Sequence, residues 1–216
     1  MRALFFDFDG LVCDTERAAR QSWAELYALL GTTLPSSVWK RMAGRSNGHE
    51  TAAADLGARL RRPVTTGELS WRAARKQALS NMEPLLPGVA ELLATAESRG
   101  LLTAVVSSSP AGWVHGHLSR LGILNRFHTV ITGDDEPRHK PAPDLYLRAL
   151  ATTGLTRADA VAFEDSPSGV TAALAAGLRC VAVPNGAAAR AHGLDHATLV
   201  LPSLADFDLD ALAVRT

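Results

Sequence analysis

Short apolar segments rich in β-branched residues recur along the chain, and turn residues separate them. Apolar runs of about four to eight residues are typical of strands that are buried on both faces of a sheet. We predict that five such segments form the strands of one sheet. They are Arg2 to Phe6, Leu101 to Val106, Val130 to Thr132, Ala160 to Phe163 and Cys180 to Val183.

Helical patterns lie between these predicted strands. Apolar residues recur at helical spacing from Val89 to Ser98 and from Trp113 to Leu121, and a glycine follows each segment. Glycine just past a helical pattern is a common helix end. Because strands that alternate with helices form βαβ units, we predict an α/β fold: a doubly wound, mostly parallel, Rossmann-like sheet with helices on both faces.

One long segment breaks this alternation. After the first predicted strand, apolar residues recur only at helical spacing, until Pro84 and Pro87 mark a boundary. We predict that residues 15–87 form an inserted all-helical domain and that residues 1–14 and 88–216 form the core domain. The apolar residues at helical spacing include Trp23, Leu26, Tyr27 and Leu30.

The composition is that of an ordinary globular protein. Of 216 residues, 47% are hydrophobic and 20% are charged, and the 22 basic side chains balance the 22 acidic ones. This balance does not favour nucleic acid or an anionic membrane as a partner. The two cysteines, Cys13 and Cys180, are far apart, and no segment approaches the length of a membrane span. We therefore expect a cytoplasmic, monomeric protein.

Polar side chains follow the predicted strands, where parallel sheets bind their ligands. Asp7 and Asp9 follow the first strand, Ser107 follows the second, and Glu164 and Asp165 close the fourth. The third runs into a further polar segment, Thr132-Gly133-Asp134-Asp135. These groups are expected at one edge of the sheet.

Asp7 and Asp9 are two residues apart, so an extended backbone would point both carboxylates to the same side. Adjacent carboxylates repel unless a proton or a cation holds them, and oxygen ligands of this kind suit Mg²⁺. Asp165 is a candidate third ligand. Asp9-Gly10 alone is equally consistent with a polar turn. Asp7 favours a site, because a charge at the end of an apolar run is costly to bury without a partner.

The other polar segments each have a structural alternative. Ser107 and its neighbours could bind an anion or could cap the following helix. Lys140, held between turns next to Pro141, could neutralise a phosphate or steady Asp7, whereas most lysines are solvated. Glu164 and Asp165 precede a helix start, where acidic residues also favour the helix dipole.

Taken together and in order, these segments resemble the motifs of the haloacid dehalogenase-like phosphohydrolase superfamily, in particular the relatives of β-phosphoglucomutase and the sugar-phosphate phosphatases. The first motif is Asp7-Phe8-Asp9-Gly10-Leu11-Val12 with Asp14-Thr15-Glu16. The second is Ser107, the third Lys140, and the fourth Glu164-Asp165. The resemblance spans almost the whole chain.

The resemblance implies a role for each motif. Asp7 would be the nucleophile, and Asp9 the general acid that protonates the leaving oxygen and then activates water. Mg²⁺ would be the cofactor, held by Asp7, the backbone carbonyl of Asp9, and Asp165, with Glu164 supporting the metal site. The phosphate-binding residues would be Ser107, Ser108 and Lys140.

The resemblance also implies that the helical insertion is a mobile cap that excludes water and selects a small phosphorylated metabolite. Arg45 lies in a segment, Gly44-Arg45-Ser46-Asn47, that resembles a loop reaching the substrate in relatives. A solvent-exposed arginine is an equal alternative. Arg72 and Arg75 could also point inward, but we expect them to be solvated.

Two departures bear on the reaction. The segment Glu16 to Arg20 lacks the histidine of β-phosphoglucomutases, and Asn47 stands where they carry an arginine. We therefore predict a Mg²⁺-dependent phosphomonoester hydrolase with a phosphoaspartate intermediate. The alternatives are mutase-type phosphoryl transfer and a non-catalytic binding protein with the same fold.

Overall fold

The computed structural model describes residues 1–42, 48–185 and 193–210. The chain divides into two compact units. One consists of Met1–Cys13 and Pro84–Thr216, and the other of Asp14–Glu83. These boundaries precede those expected from the sequence by one residue at the first crossing and by four at the second.

The first unit is built on a parallel sheet of six strands. The spatial order is β3-β2-β1-β4-β5-β6. The strands are β1 (Ala3–Phe6), β2 (Leu102–Val106), β3 (Thr129–Ile131), β4 (Ala160–Glu164), β5 (Arg179–Ala182) and β6 (Leu199–Val200).

This strand order places a crevice next to the first strand. The chain builds β2 and β3 on one side of β1 and then returns to place β4 on the other side. A parallel sheet opens a ligand crevice where the direction of winding reverses in this way. Because Phe6 pairs with Phe163, the residues that follow β1 and β4 meet at that point.

Helices cover both faces of the sheet because successive strand residues point in opposite directions. Leu4 and Phe6 pack with apolar residues of α5 (Val89–Ser98) and α6 (Ala111–Arg120). Ala3 and Phe5 pack on the other face, against α7 (Asp144–Thr153) and α8 (Pro167–Ala175). All four of these β1 side chains are fully buried.

The second unit contains four helices and, among its described residues, no strand. They are α1 (Thr15–Leu29), α2 (Ser36–Met42), α3 (Gly48–Leu60) and α4 (Thr66–Ser80). Trp23 and Tyr27 of α1 are buried with Leu56 of α3 in a separate apolar core. The Thr65 hydroxyl accepts a hydrogen bond from the Glu68 N–H, and the Glu68 carboxylate accepts one from the Thr65 N–H, so a capping box begins α4.

The predicted fold class is confirmed. Helix α5 spans the predicted residues, and the five predicted strands lie within one residue of their observed bounds. The sixth strand was not predicted, because two residues carry no readable periodicity. No described helix combines the length and apolar character needed to span a membrane.

Gly88 is required where α5 begins. Its φ is +88°, and a Cβ at this position would lie 2.1 Å from the backbone nitrogen of Ala205. We expect Gly88→Ala to lower the free energy of unfolding by about 2–4 kcal/mol, since the backbone cannot easily move away. Chemical denaturation would measure this loss.

Gly116 provides the matched control. It lies in the exposed middle of α6, and a Cβ there would meet no atom within 4 Å. Gly116→Ala should be neutral or stabilise by up to about 1 kcal/mol. Equal effects of the two substitutions would show that the approach of Ala205 does not restrict Gly88.

Candidate active site

A buried ammonium joins two carboxylates at the carboxyl end of the sheet. Lys140 Nζ donates hydrogen bonds to Asp7 Oδ1 at 2.6 Å and to the carbonyl oxygen of Val106 at 2.7 Å. It also lies 2.6 Å from Glu164 Oε1. The Lys140 side chain is only 6% exposed. Each of its three protons therefore has an acceptor.

The loop that carries Lys140 is fixed from both sides. The Lys140 N–H donates to Ser108 Oγ at 3.2 Å, which ties this loop to the segment after β2. Beyond Lys140 the chain enters α7 through Pro141 and Pro143, which restrict the backbone. The ammonium is consequently held in one place by its own backbone as well as by its acceptors.

Glu164, the last residue of β4, is fully buried between helices. Its Oε1 accepts a hydrogen bond from the Tyr146 hydroxyl of α7 at 2.5 Å. A Cβ on Gly169 of α8 would lie 1.7 Å from Oε2, so this carboxylate needs a glycine at that helix position. Oε2 has no hydrogen-bond partner within the described residues.

Asp165 completes a group of three acidic residues. One carboxylate oxygen from each of Asp7, Glu164 and Asp165 lies within 4.8 Å of the others, and all three residues are buried. A Cβ on Gly10 would lie 2.2 Å from Asp165 Oδ2, so the turn after β1 is shaped to admit this carboxylate. Hard oxygen donors in this number suit Mg²⁺, which takes few protein carboxylates and keeps several waters.

Asp9 points to different partners. Its Oδ1 accepts a hydrogen bond from Trp113 Nε1 at 2.9 Å, and its Oδ2 accepts one from Ser109 Oγ at 2.6 Å. Ser107 Oγ is 3.5 Å from the same Oδ2 and accepts the Ser109 N–H at 3.0 Å. Asp7 thus faces a cation, whereas Asp9 faces neutral donors from the segment after β2 and from α6.

The Lys140 ammonium does not balance the negative charges of Asp7, Glu164 and Asp165. Burial, together with the neighbouring Glu164 and Asp9, raises the pKa of Asp7 to about 8 against the pull of Lys140. Burial by itself lowers the pKa of Lys140, but Asp7 and Glu164 raise it above its ordinary value. A site with this excess of negative charge favours a proton or a further cation.

Most of the sequence-predicted site residues therefore lie together. Asp7, Lys140, Glu164 and Asp165 form one cluster, and Asp9 and Ser107 lie next to it. The polar segment after β3 is used locally instead: Asp135 accepts hydrogen bonds from Thr132, and Asp134 accepts one from the N–H of Ala111. Arg45 lies outside the described residues.

The sequence prediction did not include Tyr146, Ser109 or Trp113. Tyr146 has the pattern of a core residue of α7, and Ser109 was interpreted as part of a helix cap or loop. Trp113 was used only to mark a helix. The one sequence feature that could have indicated a polar partner is an indole N–H near the start of a helix that follows a strand end.

In the helical unit, the two arginines of α4 differ. Arg75 forms an ion pair with Glu25, with Nε 2.5 Å from the carboxylate. Arg72 lies over the Trp23 ring, 4.8 Å from its centroid, and its buried Nε has no acceptor within the described residues. Burial lowers the pKa of Arg72 to about 10. The expectation that both arginines are solvated is therefore wrong for Arg72.

Comparison with known proteins identifies similar sequences and folds. The profile of the family described as haloacid dehalogenase-like hydrolase matches residues 4–183. A putative phosphatase, YhcW from Bacillus subtilis, is 38% identical over 188 residues, which are 86% of this chain and 84% of that protein.

Two further matches come from other organisms. A probable pseudouridine-5'-phosphatase from Drosophila melanogaster is 32% identical over 216 residues, which are 94% of this chain and 89% of that protein. The crystal structure of a mutant CbbY from Rhodobacter sphaeroides in complex with xylulose-(1,5)bisphosphate has a TM-score of 0.78 and 28% identity. The match covers 95% of this chain and 96% of that one.

The raised pKa of Asp7 has a consequence for stability. A group whose pKa is higher in the folded protein than in the unfolded chain stabilises the fold at low pH, and this contribution is lost as the pH rises through the folded pKa. In EDTA, we expect the free energy of unfolding to fall by about 1 kcal/mol or more as the pH rises from about 4 to about 8, because of Asp7.

Asp7→Asn isolates that contribution, because it removes the titrating group and keeps the side-chain shape. Urea denaturation at several pH values should give a curve that falls less steeply for the variant than for the wild-type protein. Parallel curves would contradict the raised pKa.

Proposed function

The chain belongs to the family of haloacid dehalogenase-like hydrolases, as its motifs predicted, and on that premise we propose that it is a Mg²⁺-dependent phosphatase that forms a phosphoaspartate at Asp7. The predicted phosphatase class is confirmed by the named relatives. The observation that carries the residue assignment is the cluster of Asp7, Lys140, Glu164 and Asp165 after β1 and β4.

The nucleophile we assign is Asp7. A carboxylate oxygen would form a bond to phosphorus while the bond from phosphorus to the ester oxygen breaks. Water would then attack phosphorus and restore the carboxylate. The position of Asp7 supports this role, because its Oδ1 is fixed by Lys140 at 2.6 Å and its backbone N–H is bonded to the Phe163 carbonyl of β4 at 2.9 Å.

Asp7 and Asp165 are the side chains we assign to Mg²⁺, with the backbone carbonyl of Asp9. When bound, the ion would offset charge on the phosphoryl oxygens. Glu164 Oε1 accepts the Tyr146 hydroxyl and lies next to Lys140 Nζ. These contacts support the role expected for Glu164, which is to support the metal site. The glycine at position 10, which leaves room for Asp165, fits this assignment.

The remaining assignments concern protons and phosphoryl oxygens. Asp9 would give a proton to the departing oxygen and take one from the attacking water. Ser107, Ser108 and Lys140 would stabilise the phosphoryl oxygens, so that catalysis is mainly positioning and charge stabilisation. Lys140 would also offset the repulsion between Asp7 and Glu164.

Hydrolysis remains the preferred reaction over mutase-type transfer. The reason is the same as in the sequence: Glu16 to Arg20 contains no histidine. A non-catalytic binding protein is disfavoured because such a protein has no need to keep an ammonium and three carboxylates buried together, an arrangement that is costly to desolvate.

The substrate we propose is a small phosphorylated metabolite that carries a second anionic or strongly polar group. Two of the proteins named above support this class: one is named as a probable pseudouridine-5'-phosphatase, and the other was crystallised with xylulose-(1,5)bisphosphate. The helical unit would select the substrate, and Arg72 is the side chain of that unit that we propose to take part in the selection. Arg72 is the candidate because its Nε has no acceptor among the residues that the structure describes, whereas Arg75 is already paired.

Replacement of Asp7 tests the activity itself. Wild-type protein with Mg²⁺ should hydrolyse p-nitrophenyl phosphate, and EDTA should stop the reaction until Mg²⁺ is restored. Asp7→Asn should lower kcat by at least about a thousandfold, because the amide is not a nucleophile. Asp210→Asn, at an exposed pair with Arg99, is the control. An active Asp7→Asn protein would exclude the phosphoaspartate route.

The two arginines of α4 provide a matched pair for substrate choice. On a panel of monophosphates, bisphosphates and phosphorylated acids, Arg72→Gln should lower kcat/KM on the order of tenfold or more for substrates with a second anionic group and little for simple alkyl phosphates. Arg75→Gln should leave the ranking unchanged. A uniform loss for Arg72→Gln would deny it a role in selection.

A further inference from the structure

Two hydrogen bonds fix the orientation of the Asp9 carboxylate, and a role as acid and base does not by itself require them. Both of its carboxylate oxygens already have donors at short distance: Trp113 Nε1 at 2.9 Å and Ser109 Oγ at 2.6 Å. A surface aspartate at the end of a turn would be satisfied by water. Two side chains from another part of the chain instead determine how this carboxylate is oriented.

Trp113 is itself fixed by its neighbours. Its ring meets the ring of His117, one helical turn later in α6, at 4.4 Å between centroids and 67° between planes. His117 is buried, 1% exposed, and lies 5.9 Å from the Phe8 ring beside Asp9. The indole therefore cannot rotate freely, and its N–H is directed at Asp9 by the packing of α6.

Ser109 is fixed by hydrogen bonds. Its N–H donates to Ser107 Oγ at 3.0 Å, and its carbonyl accepts the Gly133 N–H at 2.9 Å. The hydroxyl that reaches Asp9 Oδ2 thus comes from a constrained segment between β2 and α6. Both donors to Asp9 are carried by structure that the sheet and α6 hold in place.

The two donors are chemically different. An indole N–H can only donate, so Trp113 needs Oδ1 as an acceptor whether or not Asp9 carries a proton. A hydroxyl can donate or accept, so Ser109 can donate to Oδ2 when Asp9 is ionised and accept from Oδ2 when it is protonated. Oδ2 is consequently the oxygen at which a proton can come and go without loss of a hydrogen bond.

We propose that Trp113 and Ser109 are positioning residues for Asp9: Trp113 anchors Oδ1, and Ser109 serves Oδ2, the oxygen that exchanges the proton with the leaving group and then with water. This rests on the proposed phosphatase function. In the step served, the P–O bond to the ester oxygen breaks as Asp7 attacks, and the proton on Oδ2 passes to that oxygen. Water later gives a proton to Oδ2 as its oxygen attacks phosphorus, and the bond from phosphorus to the Asp7 oxygen breaks, which releases the Asp7 carboxylate and inorganic phosphate.

The experiment compares two substrates of similar shape. Phenyl phosphate releases a more basic oxygen than p-nitrophenyl phosphate, so its first step depends more on protonation by Asp9. Trp113→Phe keeps a ring against His117 and removes the N–H. It should lower kcat/KM on the order of tenfold for phenyl phosphate and by less than about threefold for p-nitrophenyl phosphate.

Ser109 gives an independent pair of variants. Ser109→Ala should lower kcat/KM mainly for phenyl phosphate, as Trp113→Phe does. Ser109→Thr keeps the hydroxyl and should restore kcat/KM for phenyl phosphate. His115→Ala, on the exposed face of α6, is the control and should change neither rate. Equal losses on both substrates, or no loss on either, would overturn the positioning role.

A second measurement does not depend on activity. The indole N–H resonance of Trp113, assigned from Trp113→Phe, should shift upfield in Asp9→Asn, because a hydrogen bond to a charged oxygen is lost. The resonance of Trp71, 40% exposed in the helical unit, should stay in place. If the Trp113 resonance does not move, the contact itself is refuted. If it moves while wild-type protein is inactive on all phosphates, only the phosphatase function fails.

Discussion

The buried ammonium of Lys140 is the interaction on which the rest of the site depends. Asp7 and Glu164 would repel each other at the ends of two adjacent strands if nothing lay between them, and both are removed from water. Lys140 bonds to the first at 2.6 Å and lies 2.6 Å from the second. Buried ion pairs contribute little net stability, but removal of one charged partner leaves an uncompensated charge in the interior. The residues that pack around Lys140 therefore have to keep all three charged groups in place.

That constraint extends to the helices that pack beside the strand ends. Tyr146 of α7 presents its hydroxyl to Glu164, and Gly169 of α8 leaves room for the same carboxylate. These two helices cover the face of the sheet that also buries Ala3 and Phe5. The position of the acidic side chain is therefore set by the packing of two helices on the sheet, and a change in that packing would be transmitted to Asp7 through Lys140.

The sequence predicted the strand ends and the helix positions of this site, but not the side-chain contacts across its helices. The convergence of Asp7, Lys140 and Asp165 was predictable, because parallel strands bring their carboxyl ends to one edge and the order of the motifs resembles one family. Helix α5 was predictable from apolar spacing and its terminal glycine. By contrast, the partners of Glu164 and Asp9 depend on side-chain directions across helices. Tyr146 therefore looked like an ordinary core residue, and Trp113 like a helix marker.

The two aspartates of the first motif have different neighbours, which suits the two tasks that we propose for them. Asp7 and Asp9 are two residues apart and carry the same functional group, yet Asp7 faces the Lys140 ammonium while Asp9 faces an indole and a hydroxyl. A nucleophile has to be ionised when it attacks, and a positive partner favours that form. A group that must exchange protons is better served by partners that keep their bonds in either state, as a hydroxyl does. The division of roles that we propose for the two carboxylates therefore follows from the neighbours that the fold supplies, since nothing in the side chains themselves distinguishes them.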